Sequence, residues 1–206
     1  LWQRDWLSGE RLKAQLDYWR SQLDGLPQVH QLPLDKPRPV KQTYQGAVYR
    51  QTFSTSLGEQ LNQLSQAQDA TLFMTLQAAF SVLLARYSGE SDIVMGTPIA
   101  NRPQAELTSL IGFFLNNLVL RHQVEPETTF NQLLQSCKQT TLAAFEHQHI
   151  PFEMLVDELQ PERALNLSPL FQILFTLQNN EGAELSLDNL ELHQLDEAHE
   201  VAKYEL

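Results

Sequence analysis

The chain has 206 residues, 42% apolar and 19% charged, enough for one large domain or two small ones with a sizeable core. Its net charge of −11 and its 14 scattered Lys and Arg argue against nucleic acid and anionic membrane surfaces, which need clustered cations. One cysteine, Cys137, rules out an internal disulfide and gives no metal framework.

No apolar run approaches the ~18 residues of a membrane span. No charged-then-apolar start marks a signal peptide. A reducing cytoplasm is the expected location. The chain begins Leu1-Trp2 and stops inside an apolar-polar pattern at Tyr204-Glu205-Leu206, which reads as truncation at both ends.

Residues 9–24 read as a helix: Ser8 can cap it, and Leu12, Leu16, Trp19 and Leu23 share a stripe. Gly25 and Pro27 stop it. Residues 26–43 hold four prolines and form an extended connector; its leucines predict that it lies against other structure. Residues 47–54 suit a strand. A helix is expected from Ser56 to about Gln68. Thr71 caps another reaching Tyr87, with Leu72, Phe73, Leu76, Phe80, Leu83, Leu84 and Tyr87 as its buried stripe and Gly89 closing it.

Asp92–Thr97 reads as a short buried strand, 98–110 as a polar loop, and Phe113–Arg121 as a near-continuous apolar strand. A helix from Thr128 or Thr129 to about His147 follows, then a short one over Phe152–Leu159. Cys137 falls on an apolar helical face and is expected to be a buried, inert thiol. Phe171–Leu177 and Leu185–His193 suit strands. Helices alternating with buried strands predict a two-layer α/β (α+β) fold, a mixed sheet packed by helices.

Three constellations stand out. Asn116 and Asn117 interrupt an apolar strand, and period two sends one to each face. A buried amide must be paired or face a cavity, because leaving it unpaired costs about 1–3 kcal/mol. A bulge or edge satisfied by backbone and a channel-lining role are equally open. Arg102 sits in a proline-bracketed turn, Thr97–Pro103. It is either a solvated charge or a fixed fork for a carboxylate elsewhere.

His147, Gln148 and His149 precede Pro151 and Phe152 at a helix-to-loop junction, where titratable side chains on a pinned loop point to a site. Two histidines without further ligands make a poor zinc site. No G-x-S-x-G elbow and no Gly-rich phosphate loop exist. The residues alone therefore reach only an α/β domain with a polar loop cluster around 98–117 and 147–168.

Several longer stretches carry a resemblance. Ile111-Gly112-Phe113-Phe114-Leu115-Asn116-Asn117 with Arg121 resembles the I-G-x-F-V-N-T…R motif of the condensation domains of nonribosomal peptide synthetases. His147–Glu153 is similar to that family's H-Q-D-x-P-F-E, with His149 where Asp is usual. Arg163–Leu170 fits R-D-x-S-R-N-P-L in part: Arg163, Pro169 and Leu170 match, whereas Ala164, Asn166, Leu167 and Ser168 depart. Leu1-Trp2, Thr71–Phe80 and Asp92–Arg102 also resemble family stretches, so the likeness runs from Leu1 to Leu206.

The resemblance implies the C-terminal lobe of a two-lobed, chloramphenicol acetyltransferase-like enzyme with a tunnel between the lobes. It implies attack of a carrier-bound acceptor amine on a donor thioester, giving an amide. The family's catalytic H-H-x-x-x-D-G motif is missing from this chain, so no catalytic residue is assigned here and the fragment alone is expected to be inactive. Arg102 would pair with the Asp of that motif. Asn116, Asn117 and Ser168 would support the site, Ser168 being shorter than the family's Asn. His147, Gln148, His149, Pro151 and Phe152 would line the tunnel. Residues 98–112 would be the floor loop and 178–192 the latch crossing to the other lobe.

The implied partners are the N-terminal lobe, peptidyl carrier proteins and an adenylation domain. No cofactor would be bound by the chain itself; the phosphopantetheine arm belongs to the carriers. A carrier or adenylation docking lobe without chemistry, and an epimerisation-domain lobe, are the alternatives.

Overall fold

The computed structural model describes residues 2–102, 104–161, 164–178 and 201–206. Residues 185–193 and nearly all of 178–192, expected as a strand and a latch, lie outside the described residues, as does Arg163.

The central layer is built by two helices on one face of a β-ladder. Thr71 accepts a hydrogen bond from the Met74 amide at 3.2 Å, and this cap starts α4 (Leu72–Ser88), which follows α1 (Trp2–Trp6), α2 (Gly9–Gln22) and α3 (Thr55–Ala67). Gly89, with φ of 74°, ends α4 in the left-handed conformation that glycine adopts without strain. Thr129 and Gln132 form a reciprocal capping box at the start of α5 (Phe130–Glu146). Cys137 is fully buried there, and burial pushes its thiol up to about 12.

The face that α4 buries is not the expected stripe. Met74, Ala78 and Leu84 are buried with Thr75, Gln77 and Ser81, whereas Leu83 is 49% and Tyr87 66% exposed. Small and hydroxylated residues occupy this face, and their hydroxyls are hydrogen-bonded. Ser65 and Thr75 hydroxyls lie 2.7 Å apart, Ser81 donates to the Gln77 carbonyl at 2.9 Å, and Thr141 of α5 donates to Gln77 Oε1 at 3.1 Å. The bulky Phe73 and Phe80 lie half-buried and pack on Phe175 instead, with centroids 5.4 and 5.6 Å apart.

Strands β1 (Asp92–Ile99) and β2 (Asn116–Gln123) pair antiparallel, Asp92 opposite Gln123 and Ile99 opposite Asn116. The expected strand from Phe113 begins only at Asn116, because residues 110–115 turn outward: Phe113 is 88% exposed. Residues 171–177 do not form a full strand. They add a single parallel bridge to β1, with the Gly96 amide donating to the Ile173 carbonyl and the Phe175 amide to the Gly96 carbonyl, both at 2.8 Å. That bridge makes the pairing around Gly96 mixed. Residues 47–54 are not a strand either; they lack a ladder partner among the described residues, and Tyr49 is 88% exposed.

Arg121 ties the sheet to α2. Its fork holds Asp92 through contacts of 2.7–3.2 Å, and its remaining N–H groups donate to the Gln22, Asp24 and Gly25 carbonyls at the end of that helix. These donors satisfy carbonyls that a helix C-terminus leaves open. The connector 26–43 lies against structure, as its leucines predict. Arg38 grips Glu205 bidentately at 2.8 and 3.0 Å, and Gln42 donates to the Lys203 carbonyl at 3.1 Å.

Candidate functional site

The junction after α5 is held by Asn116. Its Nδ2 donates to the Gln148 carbonyl at 3.1 Å and the Ile150 carbonyl at 2.8 Å, and its Oδ1 accepts from the Phe152 amide at 2.9 Å. At 7% exposure the side chain is buried with both amide functions bonded. Asn116 thus substitutes for a backbone neighbour at the first position of β2. It spans Pro151, which lacks an amide of its own and caps α6 (Phe152–Leu159) without a side-chain bond.

Aromatic residues of the first helices close the other side. Trp19 donates its indole N–H to the His147 carbonyl at 3.0 Å. Tyr18 stacks on the His147 ring, centroids 3.9 Å apart and 12° between planes, and burial with Glu146 nearby pushes its phenol up to about 12. The His147 Nδ1 lies 2.8 Å from the Ala143 carbonyl. A carbonyl can only accept, so Nδ1 carries a proton and donates it to that carbonyl. His149 packs on Trp6 with centroids 4.3 Å apart, and burial holds its imidazole below the ordinary histidine range.

The opposite face of the sheet is organised by Phe171. Its ring lies over Gly96, where an added Cβ would fall 2.2 Å from it. Phe152 packs on Phe171 with centroids 5.5 Å apart, and Tyr204 stacks on it at 5.4 Å. Burial raises the Tyr204 phenol, and the neighbouring Asn117 side chain lowers it in part. The two asparagines therefore go to different faces, one to the 148–152 turn and one to the 201–206 segment.

Arg102 is engaged within its own loop. Its Nη1 donates to the Leu107 and Leu110 carbonyls, the latter at 2.8 Å, and its guanidinium lies 4.1 Å from the Phe114 ring centroid. This closes 102–114 as a unit. Ser168 enters through its carbonyl, which accepts from Gln172 Nε2 at 3.1 Å. The structure therefore unites Asn116 with Gln148, Pro151 and Phe152, and Asn117 with Tyr204.

Nothing in the sequence singles out Tyr18, Trp6 and Tyr204. An aromatic on an amphipathic helix carries no mark telling a core contact from a loop support. Among the described residues no three His, Cys, Asp or Glu side chains cluster as a metal site would require. No single described helix is long and apolar enough to cross a membrane.

An α/β unit in which an Asn of one motif clamps the histidine-bearing turn of another is thus defined. The family model for the condensation domain matches residues 1–206, and the chain belongs to that family. It is 46% identical over 207 residues to a linear gramicidin synthase of Brevibacillus parabrevis, covering all of this chain and 3% of that protein. It is 42% identical to phosphinothricin tripeptide synthetase PhsC of Streptomyces viridochromogenes, covering all of this chain and 19% of that one.

Among solved structures, a four-domain nonribosomal peptide synthetase bound to AMP and glycine matches with a TM-score of 0.79 and 29% identity, over 83% of this chain and 13% of that one. The X-domain from teicoplanin biosynthesis matches with a TM-score of 0.77 and 26% identity, over 84% of this chain and 40% of that one. The chain thus spans only a small part of the synthetases it matches.

Proposed function

We propose that the chain is the C-terminal lobe of a condensation unit that joins two carrier-bound acyl groups. In that reaction the acceptor amine nitrogen bonds to the donor thioester carbonyl carbon. The carbon–sulfur bond breaks, the thiol of the donor's phosphopantetheine arm leaves, and the amine loses a proton. The observation that carries the reading is that the Ile111–Asn117 and His147–Glu153 stretches, both similar to family motifs, meet physically through Asn116.

On this reading the turn at 147–152 forms one wall of the tunnel and Arg102 orders the floor loop. Asn117 and Ser168 support from behind, and the general base is supplied by the other lobe. Peptidyl carrier proteins, the N-terminal lobe and an adenylation domain are the partners, in the cytoplasm.

The test is a carrier-loaded condensation assay on a complete unit containing this chain, beside the chain alone. Amide from the complete unit and none from the chain alone is the expected pair of results, because catalytic groups that act together fail together. Amide above background from the chain alone would overturn the assignment of the base to another lobe. Inversion of a carrier-bound residue without amide would indicate epimerisation instead, and carrier binding without turnover a docking lobe.

A further inference from the structure

Among the described non-glycine residues with positive φ, Leu170, at 67°, is the one that is buried. The Phe171 amide donates to the Pro169 carbonyl at 2.9 Å, which closes a three-residue γ-turn with Leu170 at its centre. The positive-φ form of that turn is rare and strained, and a side chain bears the strain through its Cβ. Such a conformation persists only where its surroundings over-determine it, and it gathers at functional sites.

Gln172 supplies the restraint. Its Nε2 donates to the Ser168 carbonyl, just before the turn, and to the Gln28 carbonyl of the connector, both at 3.1 Å. Its own carbonyl accepts from the Glu205 amide at 2.9 Å. One buried residue thus ties the turn to the connector and to the 201–206 segment. We propose that Gln172 and Leu170 are positioning residues for amide formation: Gln172 holds the strained turn, and the turn sets Phe171, against which Phe152 and the 147–152 wall are placed. This rests on the condensation reading.

The path from the turn to the wall is short and has little room to absorb a shift. The Phe171 ring lies over Gly96 on one side and packs on Phe152 on another. Phe152 opens α6, and its amide is held by Asn116. Relaxing Leu170 to negative φ would re-aim the backbone that carries Phe171 and press on Phe152. Neither Gln172 nor Leu170 needs to touch the reacting atoms; both act through the wall. Glycine takes positive φ as readily as negative, so a glycine at 170 could form the turn without the tether, whereas leucine needs it.

The experiment uses a complete condensation unit containing this chain, with alanyl, leucyl and phenylalanyl groups loaded on donor and acceptor carriers and the pair giving most amide carried forward. The readout is kcat per folded protein and KM for the acceptor carrier. Misplacing a wall by about 1 Å can cost roughly a hundredfold in rate, so Gln172→Met should lower kcat about tenfold or more. KM should move less than about twofold, because the loss falls on the chemical step. Adding Leu170→Gly to Gln172→Met should raise kcat about threefold or more, because glycine restores the turn. A merely structural pair would do the reverse, since the second change removes a buried leucine.

Gln172→Glu keeps the test open if Gln172→Met does not fold. Protonated, its carboxyl donates to one of the two carbonyls; ionised, it faces both as an acceptor. Its kcat relative to the unaltered unit should be about threefold or more higher at about pH 6 than at about pH 8, burial having raised the carboxyl. The positioning role is overturned by a Gln172→Met kcat within about twofold of the unaltered unit, by a loss carried by KM alone, or by no gain from the added glycine. Where only Gln172→Glu folds, a relative kcat that does not change with pH overturns it. Each of these leaves the condensation reading standing. Absence of amide from the unaltered unit with every pair would overturn the condensation reading itself, and the positioning role with it.

Discussion

Replacing Asn116 by leucine, which is close to it in size, removes three hydrogen bonds and little volume. The Ile150 carbonyl is bonded in a buried setting, and the Gln148 carbonyl and Phe152 amide in partly buried ones. Stranding a buried backbone group costs about 1–3 kcal/mol, and water can rescue the partly buried pair. The expected loss is about 3 kcal/mol, which corresponds to about 6–12 °C in Tm for a domain of this size. Equilibrium urea denaturation followed by tryptophan fluorescence measures it, since Trp19 bonds the same turn and reports its release. A shift under 0.5 kcal/mol with an unchanged m-value would refute the reasoning, because the turn would then hold without the clamp. Asn116→Asp should be worse than leucine at neutral pH, since a carboxylate would face two carbonyl oxygens where the amide donated.

Two further outcomes follow from buried groups. His122 is buried on β2 with neither ring nitrogen bonded among the described residues, and burial pushes its imidazole down to about 4. Its folded-state value lies below the unfolded one, near 6.5, so above that pH both states are neutral and nothing is lost. As pH falls toward 4 the unfolded chain takes the proton first, costing stability progressively up to about 3 kcal/mol. His122→Phe should flatten that part of a pH–stability curve, and an unchanged slope would count against it. Gly96→Ala should displace the Phe171 ring and cost about 1–3 kcal/mol in a thermal melt; adding Phe171→Leu should recover part of it, and strict additivity of the two would argue against the contact.

Caps and breakers are readable because their chemistry is local: Thr71, Gly89 and Thr129 act where the sequence puts them. The buried face of α4 is misread when bulk stands for burial, whereas packing on α5 favours Ala78, Ser81 and a Gln77–Thr141 pair. Residues 47–54 alternate like a strand, but a strand requires a neighbour, which is a property of the whole fold. Asn116 and Asn117 stand out as amides needing partners. That one reaches residues 148–152 and the other Tyr204 depends on contacts 32 or more positions away. The resemblance picks out these stretches; only geometry reveals that two of them meet through Asn116.

The grip of Arg38 on Glu205 joins positions 167 residues apart, and His30 reaches the same carboxylate at 2.8 Å. During synthesis at roughly 5–20 residues per second, the connector must wait about 8–33 s for that partner to be made. Through that interval Arg38 and His30 lack their carboxylate. The connector should therefore be the late-docking part of the nascent chain and the stretch most open to proteases and chaperones on the ribosome, well after α4, β1 and β2 can have formed their ladder.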